Sequence, residues 1–264
     1  MVISYHVKGR IDDAGGRNKR DLEREMMTDL GQWSEKEFDV LLQTAQKLPG
    51  AGSRIGFLSK QFMGVPYKAG TLTGSATAVE QLVVNLAGVD CFTYLDYLEA
   101  MRRSSSYGEF IENLKAVRYQ NGEVDFRSRN HFFSDWPVYQ HDFIEDVTGS
   151  AGGDAVITVG KMLNVKADGS HWLSGIAPRM RGVVYLPSER LDERIVAGLR
   201  TGDYIGIYDD MAGLDVTHVG VIVKGTFVAY LRHASSVPNK LRVVDDELLP
   251  FLSDKPGVIV YRAK

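Results

Sequence analysis

An α+β fold, with a layer of helices packed on an antiparallel β-sheet, is what this sequence predicts. Three observations point there. Helix-patterned segments come mostly first along the chain and strand-patterned segments mostly later. Two β-rich runs, Thr217–Val223 and Phe227–His233, flank Gly225-Thr226, a hairpin signal. Asn121-Gly122, between Val117-Arg118-Tyr119 and Val124-Asp125-Phe126, is a second hairpin signal.

The elements follow in order. Residues 8 to 30 are highly charged and Asp12–Gly16 is loop-like, so residues 1–33 are expected to form a peripheral arm. Ser34 with Glu37 makes a capping box, after which Phe38, Leu41, Leu42, Ala45 and Leu48 line one helical face. A second helix is predicted from Ser53 to Met63, stopping at Gly64. Thr71–Ala78 is rich in Gly, Thr, Ser and Ala, the composition of a flexible insert. Asp90 caps a third helix in which Leu95, Leu98 and Met101 keep helical spacing. Strands are predicted at Ala155–Val165, Val183–Leu186, Tyr204–Tyr208, the two runs around Gly225-Thr226, Leu241–Val244 and Val258–Tyr261. No linker divides residues 34–264, which are expected to be a single domain.

Composition narrows the function. With 31 basic and 34 acidic residues the net charge is −3, and no broad basic field for nucleic acid exists. The longest apolar runs are strand-length, short of the roughly 18 residues a membrane span needs. The start, Met1-Val2-Ile3-Ser4-Tyr5-His6, leads into charged residues with no apolar signal-peptide core. Zinc is not expected, because one cysteine and scattered histidines offer no Cys-x-x-Cys or His-Glu-x-x-His pattern.

That one cysteine, Cys91, follows the Asp90 cap directly. In a first helical turn, free N–H groups and the helix dipole lower a thiol's pKa and favour the nucleophilic thiolate. The competing reading is a small buried apolar residue. Two histidines favour the nucleophile. If Gly225-Thr226 is a two-residue turn, residue 224 faces 227, and His218 then faces His233. Opposed side chains on an antiparallel pair have Cβ atoms roughly 4.5–5.5 Å apart, near enough for one imidazole to orient the other. A thiol catalyst needs such a base and orienter. Slippage by one residue would separate the two rings to opposite faces.

The combination Gly64-Val65-Pro66-Tyr67, Asp90-Cys91, Gly202-Asp203, His218-Val219-Gly220-Val221 and His233-Ala234-Ser235 resembles the NlpC superfamily of papain-like cell-wall cysteine peptidases and amidases. Three features resemble its N-acetylmuramoyl-L-alanine amidase-like branch: the long insert between Tyr67 and Cys91, the stretch from Arg127 to Trp136, and Gly213–Thr217 before His218. The resemblance spans roughly residues 55 to 264. It implies a papain-like fold with the catalytic cysteine at a helix N-terminus, Cys91 as nucleophile, His218 as base, His233 as third polar residue and Tyr67 as contributor to the oxyanion or substrate site. The chain departs from the family in the distance from Tyr67 to Cys91 and in Phe92-Thr93, which replaces the usual Ser-Gly.

The branch implies hydrolysis of the amide between N-acetylmuramic acid and L-alanine in peptidoglycan fragments, 1,6-anhydro forms included, without a cofactor. The alternatives are an endopeptidase cutting after D-glutamate in the stem peptide and a non-catalytic peptidoglycan-binding module. A cell-envelope or periplasmic location is implied, and the oligomeric state is left open. Arg129, with Arg127 and His131, reads either as a carboxylate-binding element for the acidic stem peptide or as a loop anchored by Phe132, Phe133 and Trp136. His6, His141 and His171 read as structural or solvent residues, Trp172 and Tyr185 as core rather than sugar platforms, and Asp203 as a turn residue.

Overall fold

The computed structural model describes residues 27–264; His6, the Asp12–Gly16 loop and the other charged residues up to 26 lie outside the described residues. The end of the expected arm belongs to the fold. Strand β1 (Met27–Asp29) runs parallel to β2 (Val83–Asn85), and Leu30 and Trp33 pack on the core.

Helix starts fall where short polar side chains can satisfy the free N–H groups of a first turn. Ser34 closes the capping box with Glu37 and opens α1 (Glu35–Gln46), which buries Phe38, Leu41, Leu42 and Ala45. Helix α2 (Gly50–Gln61) begins earlier than Ser53 and is followed by Gly64 at φ +84°, a left-handed position that suits glycine. Helix α3 (Cys91–Arg102) is buried at every residue except Phe92. The predicted positions Leu95, Leu98 and Met101 show one stripe of it, yet the helix is enclosed all round by α1, α2 and α4 (Tyr107–Arg118) and by two strands of the sheet.

Enclosure puts charged residues in the core, each with a partner. Asp96 pairs with Arg118 at 2.8 Å, and Glu99 pairs with Arg102 at 2.6 Å while accepting the Tyr204 hydroxyl at 2.8 Å. Burial, eased by Arg118, pushes the Asp96 carboxyl up to about 6.

The Asn121-Gly122 hairpin does not form. Val117 and Arg118 end α4, where Phe110, Ile111, Leu114 and Val117 make a helical core face. Asn121 and Gly122 take φ of 56° and 69° and reverse the chain after the helix; the returning segment meets it at one antiparallel bridge, Tyr119 to Arg129. Left-handed Asn-Gly ends a helix as readily as it turns a hairpin, and helical periodicity decides between them.

A short helix α5 (Trp136–Tyr139) leads to β3 (Ile144–Asp146) and α6 (Thr148–Gly152). The chain then forms β4 (Ile157–Leu163), β5 (Arg179–Pro187), α7 (Glu193–Gly198), β6 (Tyr204–Tyr208), β7 (Val216–Lys224), β8 (Ala229–Ala234), β9 (Val243–Glu247), α8 (Leu248–Leu252) and β10 (Gly257–Ala263). The sheet order is β4-β5-β10-β6-β7-β8-β9, with β3 paired to the end of β10, and every pairing in it is antiparallel.

This is the predicted α+β arrangement with one addition. Helices α1–α4 cover one face, and α6, α7 and α8 cover part of the other, over Ile205, Ile207, Ile222, Leu231, Val258 and Val260. Strand β6 is therefore buried at all its positions, and it shows an apolar run rather than alternation. Leu241, expected in a strand, precedes β9 at φ 41°.

Candidate active site

Cys91 is the first residue of α3. The Asp90 carboxylate accepts from the Phe92 and Thr93 N–H groups at 3.1 and 2.8 Å, and Thr93 Oγ1 accepts from the Asp90 N–H at 3.0 Å. Thr93 is thus half of a reciprocal cap, and Phe92 lies edge-on to Trp136 with ring centroids 6.1 Å apart. The Phe92-Thr93 pair has a structural use. It also changes the thiol: the cap consumes N–H groups that would have stabilised a thiolate. Burial, and then the Asp90 charge, push the Cys91 pKa up to about 12, against hydrogen bonds from the backbone of Val219 and of Cys91 itself. Burial outweighs the expected lowering by the helix terminus.

Val219 ties the thiol to β7, because its neighbour is His218. The two histidines meet: His218 Nε2 lies 2.6 Å from His233 Nδ1, with ring planes 87° apart. The register differs from the expected one. Lys224 faces Ala229 and Val221 faces Arg232, so the connection is four residues, closed by the Gly225 N–H to the Val228 carbonyl at 2.8 Å. The slip amounts to two positions. An even slip keeps side chains on their face, so His218 and His233 become diagonal neighbours instead of an opposed pair. A β-bulge between β6 and β7, where Ile207 pairs with His218 and Tyr208 with Val216, lies beside His218 and re-aims this end of the strand. Phe251 of α8 packs against both imidazoles.

Gly220 makes room for the second ring. A Cβ there would lie 3.0 Å from the His233 Cβ, 2.9 Å from the Arg232 carbonyl oxygen and 2.6 Å from Leu231 Cδ1. Gly220→Ala is expected to destabilise the fold by about 1–3 kcal/mol and, by shifting His233, to lower turnover about 100-fold. Urea unfolding and kcat measure the two effects; wild-type values for both would refute the crowding.

Tyr67 reaches the thiol despite its distance in sequence. It pairs with Val89 in a parallel bridge, and the Lys68 N–H donates to the Val89 carbonyl at 2.9 Å. On the other side, the Tyr67 N–H donates to the Leu241 carbonyl at 2.9 Å and the Gly64 N–H to the Val243 carbonyl at 3.0 Å. The Gly64–Tyr67 segment thereby stitches the thiol-bearing half to the start of β9, the strand that pairs with the His233 strand. Burial, and then the charges of Cys91 and Asp90, push the Tyr67 hydroxyl up to about 12.

Behind the imidazoles stand two residues that sequence reasoning missed. His233 Nε2 lies 3.0 Å from Asp246 Oδ2, and Lys240 Nζ donates to both Asp246 oxygens at 2.5 and 2.7 Å. On β9, Val244 faces His233, and Asp246 is two positions further along, on the same face. Ending the strand at Val244 hid that parity. Burial, followed by His233, holds the His218 imidazole down at about 3; burial also lowers His233, opposed by Asp246. Against the upward push of burial, hydrogen bonds from Lys240 and His233 keep the Asp246 carboxyl below its ordinary range. These shifts favour a neutral thiol and neutral imidazoles above a carboxylate.

Arg129 and His131 are not joined to this cluster by any hydrogen bond. Arg129 is buried and forks onto Glu80, with Nη2 on Oε2 and Nε on Oε1; the same Nη2 donates to the Thr73 carbonyl. The expected substrate carboxylate is replaced by an internal one. His131 Nε2 is 2.7 Å from the Phe126 carbonyl oxygen, and burial, then Arg129, lowers its pKa to about 3. Asp203, expected as a turn residue, is buried and bidentate to Arg262 at 2.7 and 2.6 Å. Tyr185 stacks on Tyr208 with centroids 3.8 Å apart, and exposed His141 lies 3.4 Å from Asp142. Among the described residues, no three His, Cys, Asp or Glu form a metal-holding group, and no helix is long and apolar enough to cross a membrane.

A family model described as AmiA-like, N-acetylmuramoyl-L-alanine amidase-like, matches residues 57–258, a span that contains Cys91, His218, His233 and Asp246. No curated protein matches. Among solved structures, a Legionella pneumophila protein is similar with a TM-score of 0.72 at 22% identity, over 87% of this chain and 94% of that one. An N-acetylmuramoyl-L-alanine amidase from Bacteroides uniformis has a TM-score of 0.65 at 25% identity, over 86% and 99%. A Bacteroides fragilis protein with the provisional description xylanase has 0.62 at 28%, over 77% and 98%.

Proposed function

Because the chain belongs to the AmiA-like, N-acetylmuramoyl-L-alanine amidase-like family, we propose that it is a cysteine hydrolase cleaving the amide between the lactyl group of N-acetylmuramic acid and L-alanine in peptidoglycan fragments. The observation that carries this reading is the 2.6 Å contact between His218 and His233 on the strand whose Val219 backbone meets the Cys91 thiol. In the reaction, His218 takes the thiol proton as Cys91 Sγ attacks the carbonyl carbon. The oxyanion sits at the Cys91 N–H and the Tyr67 hydroxyl. The C–N bond then breaks as His218 returns the proton to the departing L-alanine nitrogen, leaving a thioester. Water, deprotonated by His218, hydrolyses the thioester to a carboxylate and restores the thiol.

The depressed His218 pKa suits the step that expels the amine, since an imidazolium that is a strong acid protonates a poor amine leaving group readily. Helix-borne thiol, strand-borne base and third polar group also support the papain-like, NlpC-type reading. The cell envelope is the proposed location. A glycosidase would need two carboxyl groups flanking the scissile bond, and this site presents sulfur and imidazoles instead.

Digestion of purified muropeptides, with products weighed by mass spectrometry and Cys91→Ala as blank, tests the proposal. Free disaccharide plus an intact stem peptide is expected. A sugar fragment still bearing L-Ala-D-Glu would overturn it in favour of an endopeptidase.

A further inference from the structure

We propose that Asp246, gripped by Lys240, sets which nitrogen of His218 is bare, so that both act as positioning residues for the base. The argument is one of donors and acceptors along a chain of three contacts. A carboxylate only accepts, so at the 3.0 Å contact His233 Nε2 must carry a hydrogen. His233 is held neutral, by burial and with no second proton, so its Nδ1 is a bare acceptor. His218 Nε2, 2.6 Å from that Nδ1, must then be the donor. Neutral His218 is left with its lone pair on Nδ1, the ring nitrogen not engaged with His233. With His233 neutral, every assignment follows from the carboxylate at the far end.

Lys240 makes the device sensitive to chemistry rather than to shape. Its ammonium donates to both Asp246 oxygens, which on a carboxylate are equivalent. In Asp246→Asn they are not. Lys240 has three donors and no acceptor, so it claims the single amide oxygen and turns the NH2 group toward His233. His233 Nε2 must then accept, its Nδ1 carries the hydrogen, and His218 Nε2 becomes the acceptor. The His218 proton moves to Nδ1, where it blocks the base. An isosteric change of one atom thus reverses the chain of hydrogen bonds.

The inference rests on the cysteine-amidase reading for its kinetic consequence, but not for its spectroscopic one. Long-range 15N–1H spectra of the histidine rings are expected to show the wild-type His218 proton on Nε2 and, in Asp246→Asn, on Nδ1. Muropeptide turnover in Asp246→Asn is expected to fall by about 100-fold or more, in kcat with KM unchanged. Adding Lys240→Met frees the amide to rotate its oxygen toward His233 and is expected to restore at least about tenfold of that loss, an effect that a merely structural role for Asp246 would not produce. A wild-type spectrum with the His218 proton on Nδ1, wild-type kcat in Asp246→Asn, or no recovery in the double variant would each overturn the proposal. If wild-type protein cleaves no muropeptide while its ring spectra are as described, the amidase reading fails and the tautomer assignment stands. The wild-type spectrum needs no variant to fold.

Discussion

Cys91→Ala is expected to lower muropeptide amide hydrolysis by at least about 10⁴-fold, while the protein keeps its fold. In the proposed mechanism the sulfur forms the covalent intermediate, and the imidazoles behind it carry protons. Deleting one buried atom costs about 1–2 kcal/mol, which a melting curve separates from lost chemistry. Turnover by Cys91→Ala at near the wild-type rate would end the mechanism.

The same residue carries a pH prediction. With the thiol pushed up to about 12 and His218 down to about 3, a neutral pair is expected between these values, and in the proposed mechanism His218 takes the thiol proton during attack. The thiolate fraction then rises about tenfold per pH unit through neutrality. Iodoacetamide alkylation should follow that slope without a plateau, and the single cysteine makes the readout unambiguous. A plateau centred below pH 7 would reveal a preformed thiolate–imidazolium pair instead.

Arg129→Met is expected to destabilise the protein by about 3–5 kcal/mol, because it strands a buried carboxylate. Glu80 is 7% exposed and Arg129 6%. Glu80 also accepts the Tyr119 hydroxyl at 2.7 Å, and the guanidinium lies over the Phe126 ring at 5.3 Å. This network clamps the insert after Tyr67 to the segment after α4. Adding Glu80→Gln should recover part of the loss, since a neutral amide is cheaper to bury than a lone charge. Urea unfolding gives the magnitude, and KM of the folded fraction should stay at the wild-type value. Intact stability with a raised KM would restore the reading of Arg129 as a ligand for the acidic stem peptide.

Much of the framework was legible because its signals are local. Ser34 and Glu37 announced α1, Asp90 announced α3, and Tyr204–Tyr208 is a strand at both its predicted ends. The α4 helix was obscured by Asn121-Gly122, whose left-handed backbone serves helix ends and hairpins alike. Short helices α5–α8 were not anticipated, since one or two turns leave too little periodicity to register. At the site, parity rescued the histidine pair from an error in loop length, whereas Asp246 was lost to a strand ended three residues early.

By itself the amino-acid order determined the helix that carries Cys91, the strands that carry His218 and His233, and the common face of the two rings. These depend on capping groups and on the two-residue period of a strand, and neighbouring residues suffice to set them. Only the tertiary structure decided the burial of the thiol, the partner of Arg129 and the Asp246–Lys240 grip behind the imidazoles. Those depend on how much water is excluded and on which distant charge fills the space, quantities that exist only once the chain has closed around them.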